Sequence, residues 1–314
     1  MTTSSDQASS PLSSGYTWRR GNRNSRPEER RQRTRRRSSE VKEQLVAYLG
    51  PPGTFCEEAA RKHFREGALL KPCMELGEIW DRVESGEADF GVVPVENTTE
   101  GSVIPSLDLL FERDLKVCGE VELRIRHNLI VKPDTRLVEI RLVVSHPQAI
   151  AQCKRFLDEQ LPLATRRTVE STAKAVQMLA ETEYAAAIGT ESAADIYGMK
   201  VLVKDIQDNP RNFTRFFIIG TRDSPPSGSD RTSIVFSVAH LPGTLVSVLE
   251  ELSKRRINLT KIESRPTRQT PWEYLFYVDF EGHRSEKICH QALESMRKKT
   301  FFLKVLGSYP KARP

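Results

Sequence analysis

From Leu45 onward, short apolar runs alternate with segments whose apolar residues recur at helical spacing. Leu45-Val46-Ala47-Tyr48-Leu49 closes on Gly50-Pro51-Pro52-Gly53, the pattern of a buried strand ending in a turn. A helix should follow, with Thr54 placed to cap it, Glu57 three residues on, and Ala59, Ala60, His63 and Phe64 at helical spacing. The theme repeats with a helix over 79–85, a strand over 90–95 and a helix over 103–111. Strands at 128–131 and 142–145 precede a helix from Gln148 to Leu157, then a strand at 167–169 and a helix from Ala173 to Leu179. Apolar runs at 185–189, 201–203 and 216–220 end the series. Strand and helix in turn predict α/β sheets covered on both faces.

The pattern changes after Asp223-Ser224-Pro225-Pro226-Ser227-Gly228-Ser229, a run of turn-forming and small polar residues that reads as a linker. Beyond it come a strand (232–238), a helix (243–254), two strands (259–263 and 274–280), a helix (286–298) and a strand (302–306). That order, βαββαβ, is the ferredoxin-like arrangement. Leu245, Val248, Leu249 and Leu252 share one helix face, and Ile234, Phe236 and Val238 alternate along the first strand, so the helix can cover one side of an antiparallel sheet.

A chain of 314 residues suits about two such domains. No apolar run approaches the roughly 20 residues of a membrane helix, and the N-terminus has no secretory apolar stretch. Five cysteines, odd in number, widely spaced and without a C-x-x-C pair, argue against a disulfide framework and a zinc site, so a reducing cytoplasm is expected. The net charge of +6 changes meaning once it is located. Residues 1 to 40 hold ten arginines against four acidic residues, which is the whole excess, and the other 38 basic and 38 acidic residues balance. This Arg/Ser-rich tail, residues 1–44, has too few aliphatic residues to offset the entropy of ordering and is expected to be disordered. Arginine clusters can bind phosphate backbones, but a neutral body makes nucleic acid a poor expectation for the protein as a whole.

Six blocks in order carry a more specific signal: residues 47–55 (AYLGPPGTF), 91–102 (GVVPVENTTEGS), 145–149 (SHPQA) with Gln152-Cys153, 170–173 (ESTA), 187–189 (AIG) and 212–216 (NFTRF). Together they resemble the prephenate dehydratase family, and residues 241–245 (LPGTL) and 263–266 (ESRP) resemble the ligand motifs of an ACT domain. The resemblance implies a two-lobed, periplasmic-binding-protein-like (type II) catalytic domain over 45–222 and an ACT regulatory domain over 230–310. It implies decarboxylative dehydration of prephenate to phenylpyruvate, feedback-regulated by phenylalanine, in a homodimer or homotetramer. Residues 1–44 are too few and too polar to form a preceding chorismate mutase domain.

Prephenate bears two carboxylates and a ring hydroxyl. Electrons released by decarboxylation expel the hydroxyl as the ring becomes aromatic, so no metal or cofactor is expected; the protein must hold the dianion, supply a proton and exclude water. A guanidinium gives a carboxylate two parallel hydrogen bonds, which makes Arg215 the expected clamp. The resemblance makes Thr214 the key hydroxyl, implied to hydrogen-bond the departing oxygen. Thr54, Asn97, Thr98, Ser171, Thr172 and Asn212 are short polar residues expected to reach the substrate, many at strand-to-helix turns. Glu96 is a second proton source or a loop brace, and Phe216, with Phe55, is expected to pack the cleft wall as an ordinary core aromatic within reach of substrate. Cys56 stands where the family commonly has serine, which weakens hydrogen bonding there. For the effector, Gly243, Thr244 and Leu245 of one chain and Glu263, Ser264, Arg265 and Pro266 of a facing chain are implied. Two rivals remain: arogenate dehydration, and a non-catalytic binding module with an ACT sensor.

Overall fold

The computed structural model describes residues 43–267 and 273–312. The Arg/Ser-rich segment expected to be disordered lies, through residue 42, outside the described residues.

The first lobe opens with β1 (Gln44–Leu49), α1 (Phe55–Phe64), β2 (Ala68–Cys73), α2 (Leu76–Glu84) and β3 (Phe90–Asn97). A short β4 (Gly101–Ser102), α3 (Ile104–Glu112) and β5 (Lys116–Arg124) complete its first pass. The chain crosses to the second lobe through β6 (Asn128–Val131), β7 (Leu142–Ser145), α4 (Pro147–Gln152), α5 (Lys154–Gln160), β8 (Thr165–Thr168) and α6 (Thr172–Met178). Then follow β9 (Ala185–Gly189), α7 (Glu191–Ile196) and β10 (Lys200–Val203), and the chain returns to the first lobe as β11 (Phe213–Gly220).

The two sheets are built to one plan. Lobe one runs β2-β1-β3-β11-β5 with β4 paired to β3, and lobe two runs β8-β7-β9-β6-β10. In each, the fourth strand is antiparallel to its neighbours and has arrived from the other lobe: β11 pairs β3 and β5, and β6 pairs β9 and β10. This exchange of strands is the periplasmic-binding-protein-like (type II) architecture that the family resemblance implied. Parallel strands end on the same edge of each sheet, and that edge, at the switch in strand order, is where such sheets bind ligands.

β12 (Asp230–Ser237), α8 (Thr244–Ser253), β13 (Leu259–Pro266), β14 (Tyr274–Glu281), α9 (Lys287–Arg297) and β15 (Phe302–Pro310) form the C-terminal domain. Its antiparallel sheet, β13-β14-β12-β15, is ferredoxin-like. One face (Ile234, Phe236, Val278, Phe280) packs on the helices through Val248, Leu252, Ala292 and Met296. The other face (Val235, Leu275, Tyr277, Tyr309) joins the lobe-one core with Trp80, Leu107, Leu110 and Phe217. With both faces buried, the sheet is fixed to the first lobe. A Cβ on Gly307 would stand 2.0 Å from the Val117 carbonyl oxygen, so β15 approaches β5 as closely as it does only because that residue is glycine.

Three expectations are corrected. The single helix over 148–157 is two, α4 and α5, because Cys153 leaves helical geometry at ψ 20° and Asp208 accepts from Arg155 N at 3.2 Å at the start of the second. β2 and β5 escaped the sequence pattern: β2 is an edge strand and β5 mixes apolar with charged residues. Thr54 does not cap α1 with its side chain; its hydroxyl donates to the Leu49 carbonyl at 2.8 Å, and Glu57 accepts from Gly53 N at 2.6 Å.

Candidate active site

β3 and β11 carry the central residues side by side, Asn97 opposite Thr214 and Glu96 opposite Arg215. Along β11, Thr214, Phe216 and Ile218 face α1, while Arg215, Phe217 and Ile219 face the C-terminal domain; side chains of a strand alternate. β3 contains a bulge between the pairs Arg215–Glu96 and Phe216–Pro94. The extra residue, Val95, shifts the alternation by one, so Val95 and Glu96 both turn toward the C-terminal domain and Asn97 turns to the Thr214 side.

Asn97 organises the cleft edge. Its Oδ1 accepts from the main-chain N–H groups of Thr99 (2.9 Å) and Glu100 (3.0 Å), which fixes the amide with Nδ2 toward Thr214. Nδ2 then donates to Thr214 Oγ1 (2.8 Å), Asn212 Oδ1 (2.8 Å) and the Phe213 carbonyl (3.2 Å). Because Thr214 Oγ1 accepts here, its own hydrogen is left to be donated elsewhere.

The network crosses to the second lobe. Asn212, only 1 % exposed, donates through Nδ2 to Gln152 Oε1 at 2.9 Å, and Gln152 Nε2 donates to Glu100 Oε1 at 3.1 Å. Gln152 Oε1 also meets His127 Nε2 at 3.0 Å. A carbonyl oxygen can only accept, so His127 carries its hydrogen on Nε2, and its buried Nδ1 has no partner among the described residues. Burial lowers the His127 pKa, against the bond to Gln152, which keeps the ring neutral near pH 7. His127 and Asn212 sit on the two crossing segments, which are bonded together by Ile125 N to the Asn212 carbonyl (2.8 Å) and by Ile206 N to the His127 carbonyl (2.8 Å). Thr98 Oγ1 accepts from Phe213 N at 2.9 Å and so braces the same turn.

On the far side the lobes touch directly. Thr190 Oγ1 donates to the Gly53 carbonyl at 2.7 Å, and Tyr197 Oη donates to the Pro52 carbonyl at 3.0 Å. Beside this contact burial, reinforced by Glu57 and opposed by a bond with Thr190, pushes the Glu58 carboxyl up to about 7.

A chain whose two lobes exchange strands around a Thr-Asn-Gln network invites comparison with known families. The prephenate dehydratase model matches residues 46–224, and the ACT domain model matches residues 232–287. The chain belongs to the prephenate dehydratase family. It is 47 % identical over 267 residues to a bifunctional chorismate mutase/prephenate dehydratase of Aquifex aeolicus, covering 85 % of this chain and 74 % of that one. It is 40 % identical to arogenate dehydratase/prephenate dehydratase 2, chloroplastic, of Arabidopsis thaliana, over 84 % of this chain and 72 % of the other. The crystal structure of the prephenate dehydratase of Arthrobacter aurescens in complex with L-Phe superposes with a TM-score of 0.79 at 34 % identity, over 85 % of this chain and 90 % of that one.

Within this prephenate dehydratase fold the expected site residues separate. Thr214, Asn97, Asn212 and Thr98 come together as described. Thr54 lies just before α1, and Ser171 and Thr172 at the start of α6, all beyond the C-terminal ends of parallel strands; Ser171 Oγ accepts from Lys174 N at 3.1 Å as a helix cap. Arg215 does not face the cleft, which corrects its reading as a carboxylate clamp. Adjacent strand residues point to opposite faces, so it is buried beneath the sheet against Glu120 (2.7 Å), Asp279 (2.6 Å) and Tyr309 Oη (2.9 Å). Burial opposes its charge, but Tyr309, Asp279 and Glu120 outweigh that and hold the guanidinium above its ordinary pKa. Glu96 is corrected likewise: the bulge turns it to Lys261 of the C-terminal domain at 3.0 Å. Phe216, 1 % exposed, packs with Tyr48, Ala59, Val92 and Val121 as the core aromatic expected, too deep to reach a ligand.

The ACT residues also divide. Gly243, Thr244 and Leu245 line a pocket of about 160 Å³ with Leu241, Tyr274 and Phe276. Gly243 has φ 83°, a left-handed conformation that favours glycine, and Thr244 Oγ1 lies 2.7 Å from the Ala239 carbonyl. Along β13 the odd residues turn inward, so Glu263 accepts from Ser102 Oγ at 3.2 Å and Arg265 pairs with Asp108 at 2.9 Å. Those two side chains hold the catalytic lobe, and only Ser264 and Pro266 of that motif are exposed. Sequence reading passed over His127 and gave Gln152 no role, although Gln152 was quoted beside the 145–149 block; a polar residue at a helix end next to a motif is the signal it carried.

Proposed function

We propose that the cleft converts prephenate to phenylpyruvate, carbon dioxide and water, and that phenylalanine regulates it through the ACT domain. One observation carries the chemistry: Thr214 Oγ1 accepts from Asn97 Nδ2, so its hydrogen is presented to a ligand in a cleft closed by the second lobe. In the reaction the carbon–carbon bond to the ring carboxylate breaks and its electrons enter the ring. The carbon–oxygen bond to the ring hydroxyl then breaks, and the departing hydroxide takes up a proton to leave as water. Thr214 supports that departure by a preorganised hydrogen bond, an electrostatic role suited to a weak acid in a dry site.

With Arg215 turned away, the carboxylates fall to the strand-to-helix turns, the main-chain N–H groups at Thr54 on one lobe and the hydroxyls and N–H groups of Ser171 and Thr172 on the other. Gln152, held by Asn212 and His127, brings a second-lobe amide to the same place. Prephenate is preferred to arogenate, since the relative with both names stands beside relatives named for prephenate alone. We also read the protein as cytoplasmic, on its free cysteines, and as a homodimer or homotetramer, because the effector pocket opens beside Ser264 and Pro266 on an exposed strand face.

The test is ultraviolet detection of phenylpyruvate with prephenate, with and without phenylalanine. Thr214→Ala should lower kcat about 10²- to 10³-fold, the usual effect of removing one preorganised donor. Full activity in a folded Thr214→Ala protein would overturn the role, and no turnover by the parent chain would overturn the function.

A further inference from the structure

The residues that line the cleft and those that the C-terminal domain holds are next-door neighbours on one two-strand ladder. Asn97 and Thr214 form one register pair, and Glu96 and Arg215 form the adjacent pair on the opposite face. Both members of that second pair are gripped from the C-terminal domain. Lys261 of β13 reaches Glu96 at 3.0 Å and also donates to Ser102 Oγ, on β4 beside β3, at 3.0 Å. Asp279 of β14 reaches Arg215 at 2.6 Å, and Ser233 Oγ donates to Asp279 at 2.5 Å, which locks that carboxylate in place. Glu96 and Arg215 also approach each other at 3.7 Å.

We propose that Glu96 and Arg215 are positioning residues, and that the C-terminal domain sets the Asn97–Thr214 hydrogen bond through them. The reason is geometric. The backbone of a paired strand is stiff, so a change in the pull on one residue tilts its neighbour's side chain on the other face. The pull comes from a charge-balanced cluster, buried except at the partly exposed Glu96: three cations, Arg215, Arg231 and Lys261, face three anions, Glu96, Glu120 and Asp279. Such a cluster tolerates few arrangements, because separating Arg215 from Glu120 or Asp279 strands a charge in a poorly solvated place. Lys261 lies on the same strand as Ser264 and Pro266, so an effector that moves this strand acts on Glu96 directly. The inference rests on the proposed function for its kinetic arm only.

Arg215 is too deeply buried to be replaced without risk to the fold, so the variants are Lys261→Met and Asp279→Asn, both outside the cleft. Tyr277→Phe is the control, because it removes another bond across the same interface, Tyr277 Oη to the Leu107 carbonyl at 2.9 Å, in which neither Glu96 nor Arg215 takes part. Lys261→Met and Asp279→Asn should lower kcat at least tenfold with KM within twofold, and blunt the response to phenylalanine. Tyr277→Phe should leave kcat within twofold. The ¹⁵N-labelled side-chain amide of Asn97 should shift in the first two variants and not in the control. An unmoved Asn97 amide in both variants, or loss of kcat equal to that of the control, overturns the proposal. If the parent chain does not act on prephenate, the functional reading fails, and the amide signal still decides the coupling.

Discussion

Replacing Asn97 with aspartate keeps shape and changes hydrogen-bonding sense at one atom. The carboxylate still accepts from Thr99 N and Glu100 N, as Oδ1 does now. The other oxygen now faces Thr214 Oγ1, Asn212 Oδ1 and the Phe213 carbonyl with no hydrogen to give. Thr214 can adapt by turning its hydrogen onto the new carboxylate, which withdraws it from the ligand. Asn212 and Phe213 lose a donor each at about 1 kcal/mol, and an ionised carboxylate is left in a largely buried place, so the stability cost is about 2–4 kcal/mol. The catalytic cost should be larger than stability alone explains: kcat about 10²- to 10³-fold lower, from loss of the preorganised donor. The pH profile distinguishes this from damage. Burial favours the neutral carboxyl, whose hydrogen restores one donor, so the deficit should shrink as pH falls, and the variant's stability should likewise fall as pH rises. Asn97→Ala, with nothing to protonate, should show a deficit independent of pH. The assay is steady-state phenylpyruvate formation from pH 5 to 8 with circular dichroism as the check on folding. A folded Asn97→Asp protein within threefold of the parent, or a deficit that does not change with pH, would refute the reasoning.

Two further outcomes follow from burial. The Glu58 carboxyl, pushed up to about 7 by burial and by Glu57, binds its proton more tightly in the folded chain than in the unfolded one. That contribution is fully present below the ordinary carboxylate range and is lost as pH rises through about 7, so Glu58→Gln should be more stable than the parent by about 1–2 kcal/mol at pH 8 and little different at pH 4.5; parallel melting curves at both pH values would count against it. Phe216→Ala should lose about 3–5 kcal/mol in urea unfolding, as a core aromatic does, while the folded fraction keeps its KM; a raised KM without loss of stability would put Phe216 back on the cleft wall.

Much of the architecture was legible because it rests on local signals. Strand runs such as Leu142–Ser145 and Ala185–Gly189 are continuous and apolar, as strands buried on both faces must be. The ferredoxin-like order of the C-terminal domain followed from counting elements. β5 was illegible because a strand covered partly by another domain carries charges such as Glu120, whose partners, Arg215 and Arg231, are far away in the chain. The break at Cys153 was illegible for the same reason, since Asp208 supplies the cap from the returning segment.

The sequence by itself determined that α/β sheets and a βαββαβ domain would form, and its motifs, through the family they resemble, implied two lobes, a site shared by Thr214 and Asn97, and a ligand-contacting turn at Gly243. These depend on composition, spacing and motif order, which are written along the chain. Only the tertiary structure decided which way Arg215, Glu96 and Phe216 face. Orientation on a strand is a matter of phase, and one extra residue at Val95 reverses it for Glu96 and Asn97 without leaving a mark in the hydrophobic pattern. For Arg215, the deciding fact was a second sheet packed beneath the first, which offers a buried arginine more carboxylate than the cleft does.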